Sequence, residues 1–138
     1  MSFSEVMNGL HDQIDRCRPA FLVMECLLFI VGCMFWIFTS LGGDAFKPDL
    51  YGVWATTYPA EAWAMVMMCG SACMISGFIR PVRNWMVWTG GLIQCAQFAA
   101  LAWSAMFTGG EFAVAVWAGV FFLTMHVWIT MEALIGYE

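Results

Sequence analysis

The distribution of charged residues constrains this chain more than any other feature. Four stretches contain no Asp, Glu, Lys or Arg, and each is 18 residues or longer; they lie at 26–43, 62–79, 84–110 and 112–131. At ~1.5 Å of helical rise per residue, such a stretch crosses the ~30 Å of hydrocarbon in a bilayer. Helices are favoured over strands, because a helix satisfies its own backbone hydrogen bonds. The sequence therefore predicts an all-α integral membrane protein with four transmembrane helices.

Composition supports this prediction. Hydrophobic residues make up 62% of the 138-residue chain and charged residues only 11%. A soluble domain of this size has too little interior to bury so much apolar surface. The five basic residues are too few for a nucleic-acid interface, which needs clustered Lys and Arg. We expect one membrane domain covering residues 1–138, with the lipid bilayer as its principal partner.

The ends of the uncharged stretches set the predicted boundaries. We place the four spans near 20–41, 60–79, 82–107 and 111–135, with an aromatic outer loop at 42–59. The short connections between the last three spans force neighbouring helices to run antiparallel. The prediction is an antiparallel four-helix bundle.

The N-terminal segment, residues 1–18, has a different pattern. Phe3, Met7, Leu10 and Ile14 recur at helical spacing, with acidic and basic residues on the other faces. This pattern predicts an amphipathic helix that lies on the inner leaflet and precedes the first span.

Basic residues near the span ends indicate the topology. Arg16 and Arg18 precede the first span, Arg80 and Arg83 lie between the second and third, and Lys47 alone lies on the opposite side. The positive-inside rule then places both termini in the cytoplasm. The expected location is a plasma membrane or a bacterial inner membrane.

Four polar residues fall inside the predicted spans: Glu25, Gln94, Gln97 and His126. Polar groups in hydrocarbon are costly, so each is a candidate for function. We predict that Glu25, Gln94 and His126 share one polar layer in the inner half of the bundle. The layer has two interpretations. It is either structural, fixing the register of the helices, or a relay, in which Glu25 exchanges a proton for a cation and His126 titrates near neutral pH.

Small residues accompany these polar ones along the helix faces. Because small side chains let helices approach closely, we predict that the following residues mediate helix packing: Gly32, Gly70, Cys73, Gly77, Gly90, Gly91, Ala115 and Gly119.

No motif in the chain names a reaction. A catalytic triad at supporting spacing, a zinc-protease motif, a P-loop and a dinucleotide fingerprint are all missing from the sequence. We therefore predict a non-enzymatic protein without a metal or cofactor. The six cysteines are interpreted as reduced, buried hydrophobes. Two weaker alternatives are a soft-metal site at Cys69 and Cys73, and haem ligation by His126, which needs a second intramembrane His.

Three functions follow as hypotheses. The first is a small membrane subunit that acts by assembly, as a homo-oligomer; its small size, amphipathic start and compact hairpins resemble phage holins, which form pores, without a shared motif. The second is a proton-coupled small-cation carrier or channel that uses Glu25 and His126. In outline, four helices with an acidic residue in the first are similar to the small multidrug-resistance transporters, a likeness that ends at Glu25. The third is an accessory or anchor subunit of a larger membrane complex.

Overall fold

The computed structural model describes residues 3–43, 59–79, 84–106 and 113–135. These residues form no strand; they form four α-helices, α1 (Phe3–Ser40), α2 (Ala60–Ile79), α3 (Asn84–Met106) and α4 (Ala113–Ile135). The prediction of an all-helical protein is confirmed. Most of the predicted outer loop and both short connections lie outside the described residues.

Three of the helices are long and apolar enough to cross a membrane, over Arg16–Ser40, Ala60–Ile79 and Val116–Leu134. They support a membrane location. The third helix along the chain, α3, is less apolar, because two glutamines and three tryptophans interrupt its aliphatic residues.

The first helix differs from the prediction. It is continuous from Phe3 to Ser40 and contains Pro19, so the separate N-terminal helix expected at 1–18 is instead the first part of the same helix. Proline removes one backbone donor, which leaves the carbonyl of Asp15 without its intrahelical partner. Pro19 is exposed, so its ring does not conflict with a neighbouring helix. The break expected from sequence is therefore only the loss of one hydrogen bond.

The helices pack in chain order: α1 on α2, α2 on α3, and α3 on α4. Helices α2 and α3 run antiparallel, since Trp63 contacts Gln97, whereas Gly70, further along α2, lies against Gly90, which is earlier in α3. The backbones of α1 and α4 approach each other far less closely. One apolar cluster joins all four helices and consists of Phe21, Met74, Phe78, Val87 and Ile129.

Glycines set the closest helix contacts. A Cβ added at Gly90 would lie 2.6 Å from the Gly70 carbonyl oxygen, and one added at Gly119 would lie 3.2 Å from the Ala102 Cβ. A Cβ at Gly32 would likewise lie 2.8 Å from the Met68 side chain. These small-residue faces are therefore filled by neighbouring helices of the same chain.

The remaining predicted packing residues are placed as follows. Gly91 faces the Thr130 side chain, Gly70 faces Gln94, Gly77 is buried, and Cys73 is half-buried. The side chain of Ala115 lies outside the described ones.

Candidate functional site

Glu25 of α1 and His126 of α4 meet inside the bundle. Glu25 Oε1 lies 2.8 Å from His126 Nε2, and both side chains are 0% exposed. Glu25 is the only charged residue of α1 after Arg18, and α3 contains none. The contact links two helices whose backbones approach each other less closely than those of sequential helices. The contact therefore connects the first helix of the bundle, α1, with the last, α4.

The second nitrogen of His126 determines how many protons the pair holds. His126 Nδ1 lies 2.6 Å from the backbone oxygen of Phe122. A carbonyl oxygen only accepts hydrogen bonds, so Nδ1 must carry a proton. The contact between Nε2 and Glu25 Oε1 then needs one further proton. Either the imidazolium donates to a carboxylate, or the carboxyl O–H donates to a neutral imidazole.

Both arrangements have the same composition and a net charge of zero. The pair is thus a neutral unit that holds one shared proton. A neutral unit avoids the large cost of an uncompensated charge in a buried, low-dielectric environment.

The other oxygen of this carboxyl group has no hydrogen bond. Glu25 Oε2 is buried and has no partner among the described residues. Buried polar atoms in folded proteins nearly always have a partner. This oxygen is therefore an open acceptor next to the shared proton.

Gln94 of α3 makes a second buried polar contact. Its Nε2 donates to Ser71 Oγ at 2.7 Å and to the Met67 carbonyl at 3.2 Å, and Gln94 and Ser71 are both 0% exposed. Gly70 provides the room, because a Cβ there would lie 3.1 Å from the Gln94 amide. Gln94 thereby fastens α3 to α2.

The single polar layer predicted from the sequence is thus divided into two groups. Gln94 directs its hydrogen bonds to α2, and none of the hydrogen bonds of the described residues joins it to Glu25 or His126. Phe98, one turn after Gln94, lies beside the His126 ring with 5.3 Å between ring centroids. The helix that carries Gln94 therefore contacts the Glu25–His126 pair through an aromatic ring rather than through its amide.

Sequence reasoning missed Ser71, the acceptor of Gln94. The signal was available, because Ser71 is a polar residue in an uncharged span, next to Gly70. The same rule that selected Glu25 and His126 selects Ser71 as well.

The topology residues are described only in part. Arg16 is exposed and Arg18 half-buried, at the start of the apolar part of α1. Arg80, Arg83 and Lys47 lie outside the described residues.

The cysteines are free thiols in different surroundings. Cys17 and Cys69 are exposed, contrary to the expectation of burial, and the others are half-buried. The Cys33 thiol donates to Met68 Sδ at 3.4 Å. No group of three or more His, Cys, Asp or Glu that could hold a metal ion occurs in the described ranges.

Comparisons with protein families, with curated proteins and with solved structures gave no significant match for this chain.

Proposed function

We propose that this chain is a four-span membrane protein that acts as a proton-coupled carrier or channel for a small cation. The observation that carries the proposal is the fully buried Glu25–His126 pair, which holds one proton beside an open carboxyl oxygen. An ionisable pair inside a membrane-spanning bundle is expensive, and such pairs mark proton and ion pathways.

The position of α3 supports a fourth crossing. This helix packs against α2 on one side and α4 on the other, and both of those are apolar enough to span a membrane. Its 23 residues correspond to roughly 34 Å of helix, enough for ~30 Å of hydrocarbon. Its glutamines, Gln94 and Gln97, are 0% and 2% exposed, and both donate hydrogen bonds to α2, so neither amide lies unpaired in hydrocarbon.

The proposed orientation has both termini in the cytoplasm. Arg16 and Arg18 supply the positive charge at the start of the first span. Four spans return the chain to the side on which it began, which is the side that the positive-inside rule assigns to these arginines.

Charge balance supports the coupling. Removing the proton from the Glu25–His126 pair leaves one negative charge in the bundle interior, which is costly. A monovalent cation in place of the proton restores neutrality. The proton-loaded and cation-loaded forms are therefore both favoured over the empty form, and the binding of one ligand is linked to the release of the other.

The purified protein in lipid vesicles tests this proposal. A pH-sensitive dye inside the vesicles reports proton movement when a gradient of Na⁺ or K⁺ is imposed. With the native protein we expect protons to move in the direction opposite to that of the cation. With Glu25→Gln we expect no proton movement. The Gln amide can still donate to His126 Nε2, so this variant keeps the hydrogen bond and the fold.

Glu61→Gln is the matched control, because it is the same chemical change at a different position, in the first turn of α2. It should transport like the native protein. Flux in Glu25→Gln equal to that of the native protein, or native flux equal to that of empty vesicles, contradicts the proposal.

Action by assembly, either as a pore or within a larger complex, stays a prediction. The small-residue faces on which it was based are filled inside the chain at Gly32, Gly90 and Gly119. An oligomer would have to use other surfaces of the bundle.

A further inference from the structure

A lateral groove lies between α2 and α3, away from the Glu25–His126 pair. Its cavity volume is about 590 Å³, and the residues that line it include three with small side chains, Cys69, Ala96 and Ala100. Ligand sites in proteins are typically about 300–1,000 Å³, mostly apolar, with a few placed polar groups. None of the residues that line this groove is charged, and Gln97 is its single amide.

Gln97, one of the residues that line this groove, leaves one hydrogen-bond acceptor unused. Its Nε2 donates to the Trp63 carbonyl at 3.3 Å. A carbonyl only accepts, so the amide nitrogen must face Trp63 and the amide oxygen is left over. That oxygen, Oε1, has no partner among the described residues, although the side chain is 2% exposed.

The groove faces the surroundings of the bundle. Met65 and Val66, at its edge, are exposed on a helix that is apolar enough to cross a membrane. A ligand that reaches the groove from this side is soluble in hydrocarbon. It is also uncharged, since no charged residue is present to compensate it.

We propose that this groove binds a lipid alcohol, a molecule with an apolar body and a hydroxyl group that donates to Gln97 Oε1. The cavity volume of about 590 Å³ lies within the range of small-molecule sites, which suits a ligand the size of a long-chain alcohol. Trp63 lies one turn from the start of α2, where tryptophan commonly marks the membrane–water interface. The hydroxyl group is thereby placed close to the end of the span, as an amphipathic molecule requires.

Quenching of Trp63 fluorescence tests this proposal with the full chain in lipid vesicles. The probes are a dibrominated long-chain alcohol and its methyl ether, which keeps the same chain and oxygen but has a methyl group in place of the donor hydrogen. Trp63→Phe identifies the part of the signal that comes from this residue and keeps the backbone carbonyl that orients Gln97. We expect the alcohol to quench at a mole fraction about fivefold lower than the ether, the effect of one hydrogen bond.

Two variants locate the effect. In Gln97→Leu, the alcohol and the ether should quench at the same mole fraction. In Gln94→Leu, the matched change elsewhere on α3, the alcohol should still quench at a mole fraction about fivefold lower than the ether. Ala96→Leu fills the groove, and because Ala96 is exposed this variant should fold even if Gln97→Leu does not. It should weaken quenching by the alcohol. Equal quenching by the two probes in the native protein, a preference that survives in Gln97→Leu, or unchanged quenching in Ala96→Leu overturns the proposal.

Discussion

Replacing Glu25 and His126 by leucine, singly and together, measures how strongly the buried pair couples α1 to α4. Glu25→Leu leaves His126 Nε2 without its 2.8 Å partner, and His126→Leu leaves both carboxyl oxygens without one. An unsatisfied buried group costs about 1–3 kcal/mol of unfolding free energy. The cost rises to about 3–5 kcal/mol if the remaining side chain keeps its charge.

The double variant removes both polar groups and leaves an apolar contact of similar volume. Replacing a complete buried pair by hydrophobic residues is often neutral or stabilising. We therefore expect the double variant to be more stable than either single variant. The energetic coupling, which is the sum of the two single costs minus the cost of the double change, should then be at least about 2 kcal/mol, in the upper part of the range for directly contacting residues or above it.

Equilibrium unfolding in mixed detergent micelles, followed by circular dichroism, gives the four unfolding free energies. The native chain and the Glu61→Leu variant serve as references for the method. A double variant that is destabilised by the sum of the two single changes would show that the side chains do not interact, and would refute the reasoning.

Three further predictions follow from single contacts. Gly90→Ala places a Cβ 2.6 Å from a backbone carbonyl oxygen of α2, so we expect it to lower the unfolding free energy by about 2 kcal/mol or more, as measured by detergent unfolding. Gln94→Leu removes two hydrogen bonds to α2, whereas Gln97→Leu removes one; the first should cost about 1 kcal/mol more than the second in the same assay, and an equal cost would contradict the assigned hydrogen bonds. A membrane-impermeant maleimide should label exposed Cys17 from the cytoplasmic side only and should not reach Cys69, which is exposed in the middle of α2; labelling of Cys17 from the outer side would reverse the proposed orientation.

Much of the architecture could be predicted because the charge and the length of a single stretch of sequence are enough to identify a membrane-spanning helix. A stretch without charge that is long enough to cross hydrocarbon identifies a helix almost by itself. The predicted span at 60–79 coincides with α2, Ala60–Ile79. The ends of α3 and α4 lie within two residues of the predicted ones.

The continuity of α1 was less predictable. Pro19 and the change from an amphipathic to an apolar pattern both indicate a boundary. A change in the pattern of apolar side chains does not interrupt the backbone hydrogen bonds, however. A helix can therefore continue through such a change and through a proline. Only the loss of one donor at Pro19 follows from the covalent structure.

The partners of the intramembrane polar residues depend on helix rotation, which the sequence fixes poorly. Glu25, Gln94 and His126 lie within α1, α3 and α4, and all three are fully buried. Consecutive residues of an α-helix point in directions about 100° apart around its axis. A small rotation of α3 about this axis therefore decides whether Gln94 faces α2 or the Glu25 carboxylate. Gln94 points toward α2 because Gly70 of that helix leaves room for its side chain. This is a contact between two helices, and the sequence of one helix does not show it.

Proton release on cation binding tests the central claim most directly. The purified protein in weakly buffered detergent is titrated with Na⁺ and then with K⁺ while the pH is recorded. If the Glu25–His126 pair exchanges its proton for a cation, about one proton per chain is released by the native protein and by Glu61→Gln. Glu25→Gln should release none. The absence of release from the native protein with either cation would contradict the exchange and leave the pair as a purely structural link between α1 and α4.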